Sequence, residues 1–153
     1  MYKKILVPLD GSEFSECSLE HVKAIASGCH VPEVILFRVT EPLSLTEEII
    51  NELGEDMIVK ADTRHEKVAR DYLKGIANKL ANEDFSVSTV VMHGQPAQKI
   101  LEYADKNRVD LIIMSTHGRS GVVRWALGSV ADKVARHSTV PVLIVAPTSC
   151  RMT

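Results

Sequence analysis

Short apolar runs alternate with longer amphipathic stretches along the whole chain. A continuous apolar run is typical of a strand buried on both faces of a sheet, whereas strict alternation is typical of a strand with one wetter face. On these patterns we predict strands at residues 5–7, 34–39, 86–92, 111–114 and 142–145. The run 86–92 alternates, with Ser86 and Ser88 opposite Val87, which indicates an edge strand.

Apolar residues that recur every three or four positions predict helices between these strands. The predicted helices cover residues 14–25 with Gly28 as the end, 61–81, 96–104, and a last stretch through Val123, Leu127, Val130 and Val134. Residues 40–55 are polar and acidic, and we expect a loop there with a short helix near 46–53. The alternating order predicts an α/β fold, a single doubly wound, Rossmann-like domain over residues 1–153. Its five-stranded sheet is mainly parallel and has helices on both faces.

The connection after the fourth predicted strand is rich in glycine, serine and threonine. It runs from Ser115 to Ser129 and includes Gly118, Gly121 and Gly128. Glycines let a backbone approach an anion, and the N–H groups at a helix start bind it, so the segment is suited to the phosphates of a nucleotide. An ordinary strand-to-helix turn also carries glycines and a capping hydroxyl, and spacing alone supports both interpretations equally. The number of glycines and hydroxyls, together with Arg119 and Arg124 nearby, favours the phosphate site, although no P-loop or G-x-G-x-x-G pattern occurs.

Three further residues have more than one interpretation. Asp10, after the first strand, could bind ribose hydroxyls or cap a helix together with Glu13. His117 could bind a phosphate, act as a general acid or hold the loop. Ser129 could contact phosphate or simply lie within a helix, although Gly128 beside it is costly in a helix interior. No nucleophile–base set and no metal-ligand constellation can be identified, so we predict no catalytic residue and no protein metal site.

Composition and charge exclude several classes of protein. The chain has 153 residues, of which 45% are hydrophobic and 25% charged, with a formal net charge of −2. We therefore expect no binding to nucleic acid or to a membrane. The opening apolar run is too short for a signal sequence or a membrane span, and Cys17, Cys29 and Cys150 are widely spaced. Free thiols in a reducing cytoplasm are the expectation.

The chain resembles the universal stress protein family, and within it the nucleotide-binding branch. The resemblance rests on residues 3–12, 114–121, 127–131 and 140–145. That branch has the pattern G-x2-G-x9-G-[ST], which Gly118 and the pair Gly128–Ser129 match with nine residues between them. Ser115 stands in place of the first glycine. Because serine is small and offers a hydroxyl, we expect the pocket to be kept.

The resemblance implies a ligand and a set of contacts. The ligand is ATP, with Mg²⁺ held by the phosphates. Asp10 would contact the ribose or adenine side, and Pro8 and Val39 would line the base. The residues implied to wrap the ribose and phosphates are Met114, Ser115, Thr116, His117, Gly118, Gly128, Ser129, Val130 and Ala131. A homodimer is also implied, in which the last strand, Val142 to Val145, pairs antiparallel with its copy.

Three functions are compatible with these residues. The leading hypothesis is a cytoplasmic, ATP-binding stress-response dimer that acts as a nucleotide-dependent sensor or regulatory module, with at most slow hydrolysis. The second is an ATPase or nucleotidyl transferase, in which His117 or Asp10 assists. The third is a nucleotide-free dimerisation scaffold, which the serine at position 115 would favour.

Overall fold

The computed structural model describes residues 1–81, 83–116 and 127–146. Strands and helices alternate through these residues, apart from two places where helices follow one another directly. The elements are β1 (Lys4–Pro8), α1 (Glu13–Glu16), α2 (Ser18–Gly28), β2 (Glu33–Thr40), α3 (Glu47–Leu53), α4 (Glu55–Lys79), β3 (Ser86–His93), α5 (Pro96–Lys106), β4 (Leu111–Ser115), α6 (Ser129–His137) and β5 (Val142–Val145).

All five strands form one parallel sheet in the order β3-β2-β1-β4-β5. The chain builds outward from β1 to β3 on one side and from β4 to β5 on the other, so the order reverses between β1 and β4. This is the doubly wound arrangement predicted from the alternating pattern. β3 lies at an edge, as its alternating residues indicated.

Hydrophobic cores cover both faces of the sheet. Ile5 and Val7 of β1 point to one face, where they pack with Leu19, Val22 and Ala26 of α2 and Leu73 and Ile76 of α4. Leu6 points to the other face, where it packs with Ile100 and Ala104 of α5 and Ala131 and Val134 of α6. Residues 5–7 are fully buried. Burial on both faces explains why this strand is continuously apolar.

The first predicted helix is divided at Cys17. The hydroxyl of Ser15 donates to the carbonyl of Ser12, and that of Ser18 donates to the carbonyl of Ser15, both at 2.8 Å. Hydroxyls bonded back to the preceding turn compete with backbone hydrogen bonds and bend a helix. The run of serines therefore separates α1 from α2.

Helix α4 begins at Glu55, six residues before the predicted start at position 61. Its first buried residue is Ala69, so the preceding turns lack the core-facing periodicity on which the prediction relied. Val68, an apolar residue that marks the predicted amphipathic helix, is 55% exposed.

The sequence predicted that the cysteines are free thiols, and the structure differs from this prediction at one cysteine. Cys29 is a free thiol, as predicted. Cys17 is disulfide-bonded, so the expectation of free thiols is wrong there. Pairing depends on which cysteines the fold brings together, and their spacing along the chain does not reveal it. Cys150 lies outside the described residues.

Within residues 1–81, 83–116 and 127–146, no helix combines the length and the apolarity needed to cross a bilayer.

Candidate functional site

A cavity of about 750 Å³ opens where three neighbouring strands end. Pro8 is the last residue of β1, Thr40 the last of β2 and Ser115 the last of β4, and all three line it. The cavity thus lies at the carboxyl ends of the strands and spans the point where the strand order reverses. In open parallel sheets this is where ligands bind, and the volume suits a small organic molecule.

The fold brings the predicted site residues together around this cavity. Ten of the predicted residues line it, namely Pro8, Asp10, Val39, Met114, Ser115, Thr116, Gly128, Ser129, Val130 and Ala131. His117 and Gly118, with Gly121, Arg119, Arg124 and Trp125, lie outside the described residues.

The end of β4 and the start of α6 are joined by backbone hydrogen bonds. The Gly128 N–H donates to the Thr116 carbonyl at 2.8 Å, and the Thr116 N–H donates to the Val145 carbonyl of β5 at 3.0 Å. Within α6, the Asp132 N–H donates to the Gly128 carbonyl at 2.9 Å. The N–H groups of Ser129, Val130 and Ala131 precede this first helical bond, at the end of the helix where the dipole is positive. An anion in the cavity can accept hydrogen bonds there.

Helix α6 starts later than the sequence pattern predicted. Leu127 and Gly128, which the predicted helix included, are not helical, and the helix begins at Ser129. Gly128 has φ −56° and ψ 150°, which is extended backbone rather than helix. The cost of glycine in a helix interior is therefore avoided, and Ser129 sits in the first turn, where its N–H group precedes the intrahelical bonds.

Asp10 orders the turn after β1. Its Oδ1 accepts hydrogen bonds from the Ser12 N–H at 2.8 Å and from the Ser12 hydroxyl at 2.5 Å. Ser12, and not Asp10, is the N-cap of α1, and its hydroxyl accepts from the Ser15 N–H at 3.2 Å. The alternative in which Asp10 caps the helix together with Glu13 is therefore wrong. Asp10 instead turns the chain and lines the cavity.

Arg38 also lines the cavity, although no motif in the sequence marks it as a site residue. Its guanidinium carbon lies 5.1 Å from the centre of the Tyr72 ring, a cation–π contact with α4. It also packs against the turn after β1, because a Cβ built on Gly11 would lie 3.0 Å from Arg38 Nη1. Gly11 has φ +86°, which favours glycine. The one signal in the sequence was a charged residue inside an otherwise apolar strand.

Tyr72 in turn is fixed to α1. Its hydroxyl donates to Glu16 Oε1 at 3.0 Å. Burial of the ring, followed by this hydrogen bond to a carboxylate, raises the pKa of Tyr72 above its ordinary range. Arg38, Tyr72 and Glu16 therefore link β2, α4 and α1 at one side of the cavity.

Further lining comes from α4, from the segment after β2 and from Pro96 and Ile100 of α5. His65 and Val68 of α4 line the cavity, as do residues 41–44. The sequence predicted a loop at residues 41–44 without assigning it to the site. His65 and Val68 belong to a helix far from the glycine-rich connection in sequence, and no motif marks them.

In the described part of the chain, no group of three or more His, Cys, Asp or Glu side chains is arranged to hold a metal ion. Of the side chains of these types, Asp10, Glu41 and His65 line the cavity.

A family model described as the Universal stress protein family matches residues 1–146. The chain belongs to this family. This match confirms the family resemblance, which rests on residues 3–12, 114–121, 127–131 and 140–145.

Relatives within the universal stress protein family match over nearly the full chain. Universal stress protein MJ0577 of Methanocaldococcus jannaschii is 32% identical over 155 residues, which cover 95% of each chain. A solved structure of MJ0577 aligns with a TM-score of 0.81 and 34% identity, over 95% of this chain and 96% of that one. A universal stress protein in complex with cAMP aligns with a TM-score of 0.61 and 25% identity, over 95% of this chain and 98% of that one.

Proposed function

We propose that this universal stress protein family member binds ATP in the cavity at the ends of β1, β2 and β4. The observation that carries the proposal is the start of α6, whose first residues, Ser129 to Ala131, line the same cavity as Asp10 and Val39. The N–H groups of this helix start are proposed to bind phosphates, while the residues after β1 and β2 are proposed to contact the nucleoside. The cAMP complex formed by a family member supports an adenine nucleotide as the ligand.

The polarity of the cavity suggests how the nucleotide lies. Pro8 and Val39 offer apolar contacts to the base, at the ends of neighbouring strands. Asp10 lies after Pro8, and its carboxylate can accept a hydrogen bond from a ribose hydroxyl. Ser115, Thr116 and the start of α6 would then contact the phosphates, which would hold Mg²⁺.

The proposed role is that of a nucleotide-dependent sensor or regulatory dimer in a cytoplasmic stress response. The proposed dimer forms through β5, whose outer edge would otherwise expose apolar residues and backbone groups. We assign to the cavity groups that would position phosphates, but among its described lining residues we assign no general base. Any hydrolysis of ATP would therefore be slow.

Calorimetric titration of nucleotide-free protein with ATP, with and without Mg²⁺, tests the binding proposal. We expect saturation at about one nucleotide per chain and a rise in melting temperature with ATP concentration. Adenosine, titrated in parallel, should bind more weakly because it lacks the phosphates that α6 is proposed to contact. Absence of both heat and thermal shift would favour the nucleotide-free scaffold.

The site itself is tested with Asp10→Asn. This change keeps a side-chain oxygen that can accept from Ser12, but it removes the charge that strengthens a hydrogen bond from ribose. We expect the melting temperature without ligand to change little and the affinity for ATP to fall about tenfold, or about 1.4 kcal/mol. An unchanged affinity in the folded variant would mean that Asp10 does not contact the nucleotide.

A further inference from the structure

The segment from 47 to 57 forms an exposed surface that the core does not use. It consists of α3 and the first turn of α4, and we call it the acidic–apolar surface. None of these residues is buried, and burial in α4 begins only at Ala69. A helix as short as α3 has little stability of its own, and here a capping hydrogen bond from the Ile49 N–H to the Thr46 hydroxyl supports it.

Apolar side chains are exposed on this surface although their burial would be favourable. Ile49 is 39% exposed, Leu53 44% and Met57 57%. Ile49 and Leu53 are one turn apart, on the same face of α3, and α3 contacts α4. In the described residues only eight large apolar side chains are exposed, and three of them fall within this short segment. Clustering of this kind marks an interaction surface more often than scattered exposure does.

The charge of the same segment selects the kind of partner. Residues 47–57 include five acidic residues, Glu47, Glu48, Glu52, Glu55 and Asp56, and no Lys, Arg or His. The whole chain carries a formal charge of only −2, so the negative charge is concentrated here. Apolar side chains among carboxylates complement a partner that presents apolar and cationic groups together.

The negative charge of this surface also argues against two other binding partners, namely a second copy of the chain and an anionic membrane. If two copies of the chain met through this surface, each would bring its five carboxylates against those of the other. An anionic membrane surface would be repelled in the same way.

We propose that the acidic–apolar surface docks a basic amphipathic helix of a partner protein. The apolar face of that helix contacts Ile49, Leu53 and Met57, while its Lys and Arg side chains pair with the surrounding carboxylates. The surface lies outside the nucleotide cavity, so the proposal does not depend on the proposed function.

The test uses the full chain and a fluorescent, amphipathic Leu/Lys peptide of about 18 residues, whose helix exposes one apolar and one basic face. Fluorescence anisotropy measures its affinity. Leu53→Ser and Met57→Ser should each weaken binding about five- to tenfold. Phe14→Ser is the matched control, because Phe14 is 42% exposed on α1, outside the surface. It should bind the peptide as the unmodified chain does.

The contribution of the carboxylates is tested separately with a triple variant that combines Glu47→Gln, Glu48→Gln and Glu52→Gln. Its affinity for the Leu/Lys peptide should be lower at low ionic strength and should depend less on salt than that of the unmodified chain. A Leu/Glu peptide with the same pattern should not bind. Circular dichroism confirms that each variant is folded.

Three results would overturn the proposal. The first is peptide binding that Leu53→Ser and Met57→Ser leave unchanged. The second is equal loss in Phe14→Ser, which would mean nonspecific adhesion. The third is a concentration-dependent self-association that Leu53→Ser abolishes, which would make a second copy of the chain the occupant.

Discussion

The N–H of Gly128 donates a 2.8 Å hydrogen bond to the carbonyl of Thr116, although residues 117–127 separate them in the sequence. This bond ties the start of α6 to the end of β4. The N–H of Thr116 is bound in turn to Val145 of β5, so the helix start is connected to two strands of the sheet. Preorganised N–H donors bind an anion at low cost because little has to be ordered on binding.

The contribution of this bond can be measured with Gly128→Pro. Gly128 has φ −56°, which proline adopts without strain, but proline has no N–H to donate to Thr116. We expect the affinity for ATP to fall about tenfold, the equivalent of roughly 1.4 kcal/mol. Gly128→Ala is the control, since it retains the N–H while adding a Cβ. Equal affinities of the two variants would show that the bond is not needed.

Much of the architecture could be predicted because it follows from burial. Residues 5–7 and 111–114 are apolar without interruption because helices cover both faces of the sheet, and β5 has the same bounds as predicted, Val142–Val145. The start of α4 was predicted six residues too late because its first turns are not buried. Met57 and Val59 are exposed, so the early turns have no core-facing stripe that a periodicity could reveal.

The candidate site was predictable only where a local motif marks it. Asp10 comes two residues after the end of β1, and Gly128 and Ser129 close the glycine-rich connection that follows β4. The ends of parallel strands meet at one edge of the sheet, so these residues could be assigned to one site. Arg38 and His65 reach the same cavity from β2 and α4. Whether these two side chains reach the cavity depends on how α4 packs across the sheet. This packing is a tertiary property, and the spacing of residues along the chain does not reveal it.

Two glycines should respond to alanine in opposite directions. At Gly11, alanine would adopt φ +86° and its Cβ would press on the Arg38 guanidinium, so we expect a loss of about 1–2 kcal/mol in stability. At Gly75, in the C-terminal part of α4, a Cβ would meet nothing within 4 Å, and we expect a gain of about 0.5–1 kcal/mol. Thermal or urea denaturation measures both. If both alanines stabilised the protein, the Gly11 turn would not be strained by a side chain.

Removal of the Tyr72 hydroxyl tests the link between α4 and α1. Tyr72→Phe keeps the ring that contacts Arg38 but loses the hydrogen bond to Glu16, so we expect about 1 kcal/mol less stability at neutral pH. Because the folded-state pKa of Tyr72 is raised, this tyrosine stabilises the fold fully below its unfolded pKa of about 10 and loses that contribution as pH rises further.

Urea denaturation at several pH values checks this sign. The stability difference between the unmodified chain and Tyr72→Phe should be constant near neutrality and shrink in alkaline solution. A difference that grew with pH would contradict the raised pKa.

The edge of β5 allows the proposed dimer to be tested without disturbing the sheet. The carbonyls of Pro141 and Val145 accept hydrogen bonds from the N–H groups of Ile112, in β4, and of Thr116, the residue after β4. Backbone groups alternate in direction along a strand, so those of Ile144 point away from β4, toward the outer edge. Ile144→Pro removes the outward N–H and leaves the hydrogen bonds to β4 intact.

We expect the unmodified chain to be a dimer by light scattering and Ile144→Pro to be a folded monomer. Ile144→Val, which retains the N–H group and a branched apolar side chain, should remain dimeric. If Ile144→Pro stays dimeric while its melting temperature is unchanged, the two copies do not pair through this edge, and the contact must be sought on another surface. Dimer loss in the valine variant as well would instead assign the contact to side-chain packing at position 144 rather than to strand pairing.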